Sequence, residues 1–431
     1  MSEPSAPATL AASSLVASVF DSAPVAFNAA ATIPYPRHAS FKTLLGQRQP
    51  DAPVHGLRLD VLRAATRWFL ANFPGMPMYA VKCNPDPLVI RTLAEAGLRQ
   101  FDVASIPEIE LVRENAPEAE LFYMHPVKSR PAIRKAYFDY GVRHFSLDCA
   151  AELAKIMEET DQASDLHLHL RLSLPKGDAF HALSEKFGAS ETDAIALLPQ
   201  MRDVARKVGL CFHVGSQTMN PQPYATALAR VDAILKATGV RLDSLDVGGG
   251  YPVAYPGLNP GLMSDYMDTL RNALAKIDLP GLCTIYGEPG RALVAEAGSL
   301  LVKVDLRKDT AGGSQLYIND GVYGSLFDTG LMGLVHPVRL HRTAPRKKGE
   351  PVSINSRRLQ DFTLYGPTCD SVDTIKGYRL PADVQEGDYL EFGQTGSYTF
   401  ALQSKFNGFY SEDLVLLDDQ PQLITPGYWA G

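Results

Sequence analysis

From about Leu57 onward the chain alternates between two textures. Short apolar runs are followed by longer stretches in which apolar side chains recur at helical spacing. The apolar runs predict strands at Met78–Val81, Gln100–Val103, Leu121–Met124, His144–Leu147, Leu166–Leu172, Cys211–Val214, Leu242–Val247 and Thr284–Gly287. The intervening spacing predicts helices over Pro87–Ala96, Glu108–Glu114, Arg130–Tyr140, Ala150–Glu159, Thr192–Val208, Pro223–Ala237 and Met263–Ala275. Eight strands alternating with helices predict an α/β fold with a closed parallel TIM (β/α)8 barrel. An open doubly wound sheet is the alternative for the same pattern. After Arg291 the texture changes. Leu300–Leu306, Leu316–Asn319, Arg358–Leu364, Asp388–Phe392 and Leu414–Leu417 read as short strands between Gly, Pro and Asp clusters, which predicts a C-terminal all-β domain. The division expected is a flexible tail over residues 1–20, a barrel over 56–297, and a β-domain over 298–431 completed by a strand from about 21–55, with Pro24–Phe27 a candidate for it.

The length of 431 residues agrees with two domains, and 45% apolar with 21% charged residues fits a globular protein in water. A formal net charge of −7 gives no general attraction to nucleic acid. The one basic cluster, Arg339–Lys348, contains Pro345 and precedes Gly349, so it reads as a solvated loop. Cys83, Cys149, Cys211, Cys283 and Cys369 are scattered, which argues against a disulfide framework or a zinc site and for a reducing compartment. No apolar run reaches the length of a membrane span, and the N-terminus lacks the basic start of a signal peptide. The expectation is a cytoplasmic protein without membrane or nucleic-acid partners.

Six motifs carry chemistry. In Tyr79-Ala80-Val81-Lys82-Cys83-Asn84 a lysine ends an apolar strand, where desolvation would depress its pKa and free the amine for a Schiff base. In Cys211-Phe212-His213-Val214-Gly215-Ser216-Gln217 a histidine can stack on a planar cofactor and Ser216 can donate to phosphate. Asp246-Val247-Gly248-Gly249-Gly250 can present backbone N–H groups to phosphate. In Gly287-Glu288-Pro289-Gly290-Arg291 the glutamate can pair with a protonated ring nitrogen and the arginine can reach phosphate. Tyr365-Gly366-Pro367-Thr368-Cys369-Asp370-Ser371-Val372-Asp373 joins a thiol proton donor to an anionic pocket, and Gly393-Gln394-Thr395-Gly396-Ser397-Tyr398 lets a phenol reach a phosphate. Taken singly, each also fits an ordinary turn. His167 and His169 alternate on one strand, a spacing that can hold a metal, but no acidic or cysteine partner pattern accompanies them. Barrel packing is the better reading, and no metal is expected.

In this order the motifs resemble the fold-type III pyridoxal-phosphate decarboxylases, the family of ornithine, lysine and diaminopimelate decarboxylases, whose fold is of the alanine racemase type. The similarity runs from about Pro24 to Tyr410; Asn319–Ser325 and Phe406–Phe409 resemble the ornithine branch. The resemblance implies a pyridoxal 5'-phosphate enzyme, homodimeric with shared active sites, that decarboxylates a basic amino acid. L-Ornithine to putrescine in polyamine biosynthesis comes first and L-lysine to cadaverine next. The alternatives are another cationic amino acid, or a catalytically inactive cofactor-binding regulator. By the same resemblance Lys82 carries the Schiff base, Glu288 pairs with the pyridine nitrogen and His213 stacks on the ring. Ser216, Gly249, Gly250, Gly290, Arg291 and Tyr398 surround the phosphate, and Asp102, Glu108 and Arg171 line the site, Glu108 towards the substrate. Cys369 protonates the α-carbon, Asp370 receives the distal ammonium, and both come with Tyr323 from the partner subunit. One departure concerns specificity. Eukaryotic ornithine enzymes of this family carry a second substrate-binding aspartate nine residues after the tyrosine, where this chain has Met332; Asp328 and Asp373 are the candidates to replace it.

Overall fold

The computed structural model describes residues 35–174, 179–181, 186–343 and 358–430. Eight parallel strands close into a barrel: Met76–Ala80, Gln100–Val103, Glu120–Tyr123, His144–Leu147, His167–Arg171, Lys207–Cys211, Ser244–Asp246 and Thr284–Gly287. The last pairs with the first, Tyr286 opposite Met76, so the sheet is a closed ring and not the open alternative. Most strands fall where the apolar runs predict them. The sixth ends at Cys211 instead of running from there to Val214, because His213 turns back to accept the Gly215 N–H and Gly215 takes a φ of +107°.

Local chemistry sets where the helices begin. Asp86, Ser105, Ser129 and Ser190 accept backbone N–H groups at the N-termini of Pro87–Glu95, Ile106–Asn115, Arg130–Phe138 and Glu191–Val204. The first three of these helices also carry proline in their first turn, where its missing N–H costs nothing. Their apolar faces, such as Val89 and Leu93 or Ile109 and Val112, are buried against the strands, as are Leu228 and Val231 of the later helix Gln222–Thr238. Each such side chain contributes about 1.5–3 kcal/mol through burial. A helix before the first barrel strand, Leu59–Asn72, buries Leu62, Ala65 and Phe69 at the same spacing and is absent from the sequence prediction. Inside the barrel Met78, Phe122, Met124, Cys211 and Tyr286 fill the centre.

A second sheet has nine strands among the described residues. Its path runs Arg37–His38, Leu414–Leu417, Val54–Leu57, Gly298–Thr310, Gly313–Ile318, Leu359–Tyr365 and Thr374–Pro381, with Tyr389–Gly393 pairing off the long strand and Val338–His341 pairing with Tyr389–Gly393. Leu300, Val302, Val304, Leu316, Ile318, Phe362, Leu364, Leu390 and Phe392 form its core. Two strands from before the barrel thus enter this sheet, and residue 56, the expected start of the barrel, lies within one of them. Pro24–Phe27 and the tail over 1–20 lie outside the described residues. Thr374–Pro381 escaped prediction because Lys376, Gly377 and Arg379 interrupt its apolar pattern. The basic segment is also corrected. Arg339 sits on a strand and pairs with Glu391 at 3.5 Å, and from residue 344 the segment lies outside the described residues. Arg58 joins the layers: it is 1% exposed, donates to Ser299 Oγ at 2.8 Å and pairs with Asp419 at 2.7 Å. Among the described residues no helix is long and apolar enough to cross a membrane.

Candidate active site

Lys82 lies in a single 3-10 turn, Val81–Cys83, directly after the first barrel strand. Its Nζ is 3.5 Å from Asp102 Oδ2 on the neighbouring strand, where Ala80 is the register partner of Asp102. Burial pushes the Asp102 carboxyl up to about 7, against the downward pull of Lys82. For Lys82, removal from water acts downward as the sequence reading expects, but the Asp102 carboxylate, then Tyr398 and Glu288, outweigh it, and the net direction is up. Without cofactor the side chain is therefore an ammonium, held at the C-terminal mouth of the barrel with 45% of its surface exposed.

Glu288 follows the last barrel strand and is 3% exposed. Its Oε1 is buried with no N–H group reaching it, and the Asp246 carboxyl is the hydrogen-bonding neighbour of this side chain. Asp246, at the end of the preceding strand, is pushed well above the usual carboxylate range by burial and then by Glu288. His213 accepts the Gly215 N–H at Nδ1 (2.9 Å), which leaves its proton on Nε2. Burial, then Arg171 and Lys82, hold this imidazole well below its ordinary pKa, so it is neutral. Arg171 ends the fifth barrel strand and Ser216 opens the short strand Ser216–Thr218.

The glycines are dictated by close approach. A Cβ at Gly249 would strike the Glu288 carbonyl and crowd His213 Nε2; one at Gly250, whose φ is +102°, would strike the Gly215 carbonyl. At Gly290 it would strike Cys83 Sγ. Arg291 opens a short helix, is 5% exposed and pairs with Asp328 at 2.8 Å, with the Tyr255 hydroxyl at 2.9 Å beside it. The Tyr398 ring centroid is 4.9 Å from its guanidinium carbon. Glu108 is engaged locally. Its Oε2 accepts the Ala104 N–H at 2.7 Å while Ser105 Oγ accepts the Glu108 N–H, a close variant of the capping box.

Tyr323, Cys369 and Asp370 form a second cluster. The Tyr323 hydroxyl donates to Asp370 Oδ2 at 2.6 Å, and the Cys369 N–H donates to Asn407 Oδ1 at 3.1 Å. The Tyr323 hydroxyl, then the Val372 N–H, hold the Asp370 carboxyl below the usual carboxylate range. Cys369 is exposed. Among the described residues no hydrogen bond, ion pair or ring contact links this cluster to Lys82, Glu288 or His213. The two replacement candidates for Met332 are committed elsewhere. Asp328 pairs with Arg291, and Asp373 accepts from the Val322 and Thr368 N–H groups and the Thr368 hydroxyl. Asp246, Tyr255 and Asp328 take part in the barrel-end site in roles the sequence did not indicate. Asp246 opened a glycine motif that drew attention to the glycines, and Tyr255 and Asp328 lie far in sequence from the arginine they touch.

The barrel-end residues fit pyridoxal phosphate. A lysine, a buried Glu288 oxygen that no N–H group reaches and a glycine cradle after the seventh strand are the groups such a cofactor needs. Residues 59–295 match the family model described as pyridoxal-dependent decarboxylase, pyridoxal binding domain. A lysine/ornithine decarboxylase of Selenomonas ruminantium is 32% identical over 351 residues, covering 80% of this chain and 84% of that protein. An ornithine decarboxylase of Schizosaccharomyces pombe is 34% identical over 373 residues, covering 83% and 81%. The crystal structure of the Vibrio vulnificus lysine/ornithine decarboxylase complexed with putrescine superposes with a TM-score of 0.71 at 32% identity, covering 85% of this chain and 94% of that one. The chain therefore belongs to the pyridoxal-dependent decarboxylases of the group that includes the ornithine and lysine enzymes, and it is a pyridoxal-phosphate-dependent amino-acid decarboxylase.

Proposed function

We propose that this enzyme decarboxylates L-ornithine to putrescine, with L-lysine to cadaverine as a secondary reaction, as a cytoplasmic homodimer serving polyamine synthesis. The observation that carries the substrate class is Asp370. It is held ionised by Tyr323 and Val372, and among the described residues no cation pairs with it. A distal ammonium supplies the missing partner, and a desolvated ammonium needs one. Asp328 is paired with Arg291, and Asp373 is turned to the backbone and Thr368, whereas Asp370 accepts only from Tyr323 and Val372 among the described residues. Exposed Val372, Leu402, Phe406 and Phe409 flank the same cluster, an apolar rim suited to a second copy of the chain.

Bound pyridoxal phosphate supplies the electron sink for the pair released when carbon dioxide leaves. Lys82 would hold it covalently through the ε-amine, after giving up a proton, with Asp102 3.5 Å away as an acceptor. Glu288 Oε1 would accept the ring N–H and keep that nitrogen protonated. Neutral His213 would pack on the ring face without adding charge. Ser216, Gly249, Gly250, Gly290, Arg291 and Tyr398 would enclose the phosphate, with Arg171 and Glu108 at the rim. Cys369 would return a proton to the α-carbon.

Carbon dioxide release from L-ornithine, L-lysine, L-arginine and diaminopimelate separates the substrates. The expected order places L-ornithine first and L-lysine second by kcat/KM. Release from L-arginine or diaminopimelate alone contradicts it. In the same assay Asp370→Ala should raise KM for the diamino acids on the order of 30-fold or more while cofactor absorbance is retained. An unchanged KM removes Asp370 from recognition of the distal amine.

A further inference from the structure

At the opposite end of the barrel lies a group of side chains that decarboxylation does not use. Glu120, His144, His167 and Ser244 are the first residues of their strands, and His169 follows two places after His167. Their side chains point inward: the Phe122 ring, at the barrel centre, is 3.9 Å from His144, and a Cβ at Gly209 would meet His169 Nδ1 and Ser244 Oγ. The sequence shows His167 and His169 without a third ligand. The fold supplies it, because His144 is the register partner of His167 on the adjacent strand. We propose that His144, His167 and His169 form a binding site for a divalent transition-metal ion of the zinc class inside the N-terminal mouth of the barrel.

The spacing supports this. His144 Nδ1 and His169 Nε2 are 3.0 Å apart, and one nitrogen from each of the three rings lies within 4.8 Å of the others. Zinc–nitrogen bonds of about 2.0–2.1 Å place two tetrahedral ligands roughly 3.4 Å apart. The first pair is therefore near chelating distance, with a metal in place of the proton the rings now share, and the third ring must close by on the order of 1 Å. Glu120 Oε1 accepts from His144 Nε2 at 3.0 Å, which turns the Nδ1 lone pair inward, the carboxylate–histidine arrangement common behind metal ligands. Ser244 Oγ fixes His167 at 2.8 Å.

The rings are buried, His169 at 0% exposed, so the cluster is built into the barrel interior. The His169 nitrogen that does not face His144, Nδ1, has no hydrogen-bond partner. Three imidazoles without an oxygen ligand suit zinc, nickel or copper and not magnesium or calcium. Glu120, 46% exposed, marks the side from which an ion enters. Bound there, the ion ties two neighbouring strands together at the end of the barrel away from Lys82.

The test uses the holoenzyme, treated with chelator, dialysed, and titrated with Zn²⁺ and separately with Co²⁺. One equivalent per chain is expected, with the ligand-field bands of four-coordinate cobalt and a Tm raised by Zn²⁺ and returned to its starting value by chelator. His169→Gln should abolish the cobalt bands. Glu120→Gln, a half-exposed position that leaves the core intact, should weaken affinity about 10- to 100-fold. It decides the matter if the His169 variant fails to fold. Absence of stoichiometric uptake by the wild type overturns the site, as does uptake that Glu120→Gln leaves unchanged.

Discussion

Lys82→Ala is expected to remove the visible absorbance of the holoenzyme and to lower turnover by at least about a thousandfold. Lys82 is the amine at the C-terminal mouth of the barrel that sits among Asp102, Glu288 and Tyr398. Removing it takes away the proposed covalent attachment and leaves Asp102, 5% exposed, without its ion-pair partner. A buried carboxyl that has lost its cation moves further toward its protonated form. The variant should therefore fold while failing to show a bound chromophore. Full absorbance together with wild-type turnover would mean that another amine anchors the cofactor.

Cys369→Ala is expected to separate carbon dioxide release from amine formation. Asp370 is held ionised, and Asp373 is committed to backbone and hydroxyl donors, so the thiol is the proton donor the turn offers. Without it, carbon dioxide should still be released, but in a share of turnovers the proton and electron pair end on a carbon of the cofactor instead of the substrate's α-carbon. The amino nitrogen then stays with the cofactor and an aldehyde appears instead of the diamine. The measurement is the ratio of amine to carbon dioxide, about one for the wild type and well below one for the variant. A ratio of one at the wild-type rate would remove Cys369 from the chemistry.

The barrel was legible in the sequence because its strands are buried on both faces and read as apolar runs, and because helix starts carry Ser, Asp and Pro. The second sheet was legible only in part. Val54–Leu57 is a four-residue strand whose partners lie far along the chain, and nothing local announces which sheet it joins. The site divides in the same way. Lys82, His213, Glu288 and the glycines are marked by short motifs at strand ends. What tunes them comes from across the fold: the Asp246 carboxyl beside Glu288, the Asp328 that pairs with Arg291, and the capping bond of Glu108. Burial also misled in one case. Desolvation alone predicts a depressed lysine pKa, whereas the fold sets the Asp102 and Glu288 carboxyl groups near Lys82 and reverses the sign. His144 was invisible as a ligand because barrel register, not spacing along one strand, brings it beside His167.

The most direct test of a site built from both clusters across the proposed dimer mixes two variants that are each defective in diamine production, Lys82→Ala and Cys369→Ala, under conditions of verified subunit exchange. With random pairing about half of the dimers are hybrids, and each hybrid holds one site with both defects and one with neither. Diamine production should then recover to roughly a quarter of the wild-type value. No recovery after confirmed exchange would contradict active sites shared between two chains.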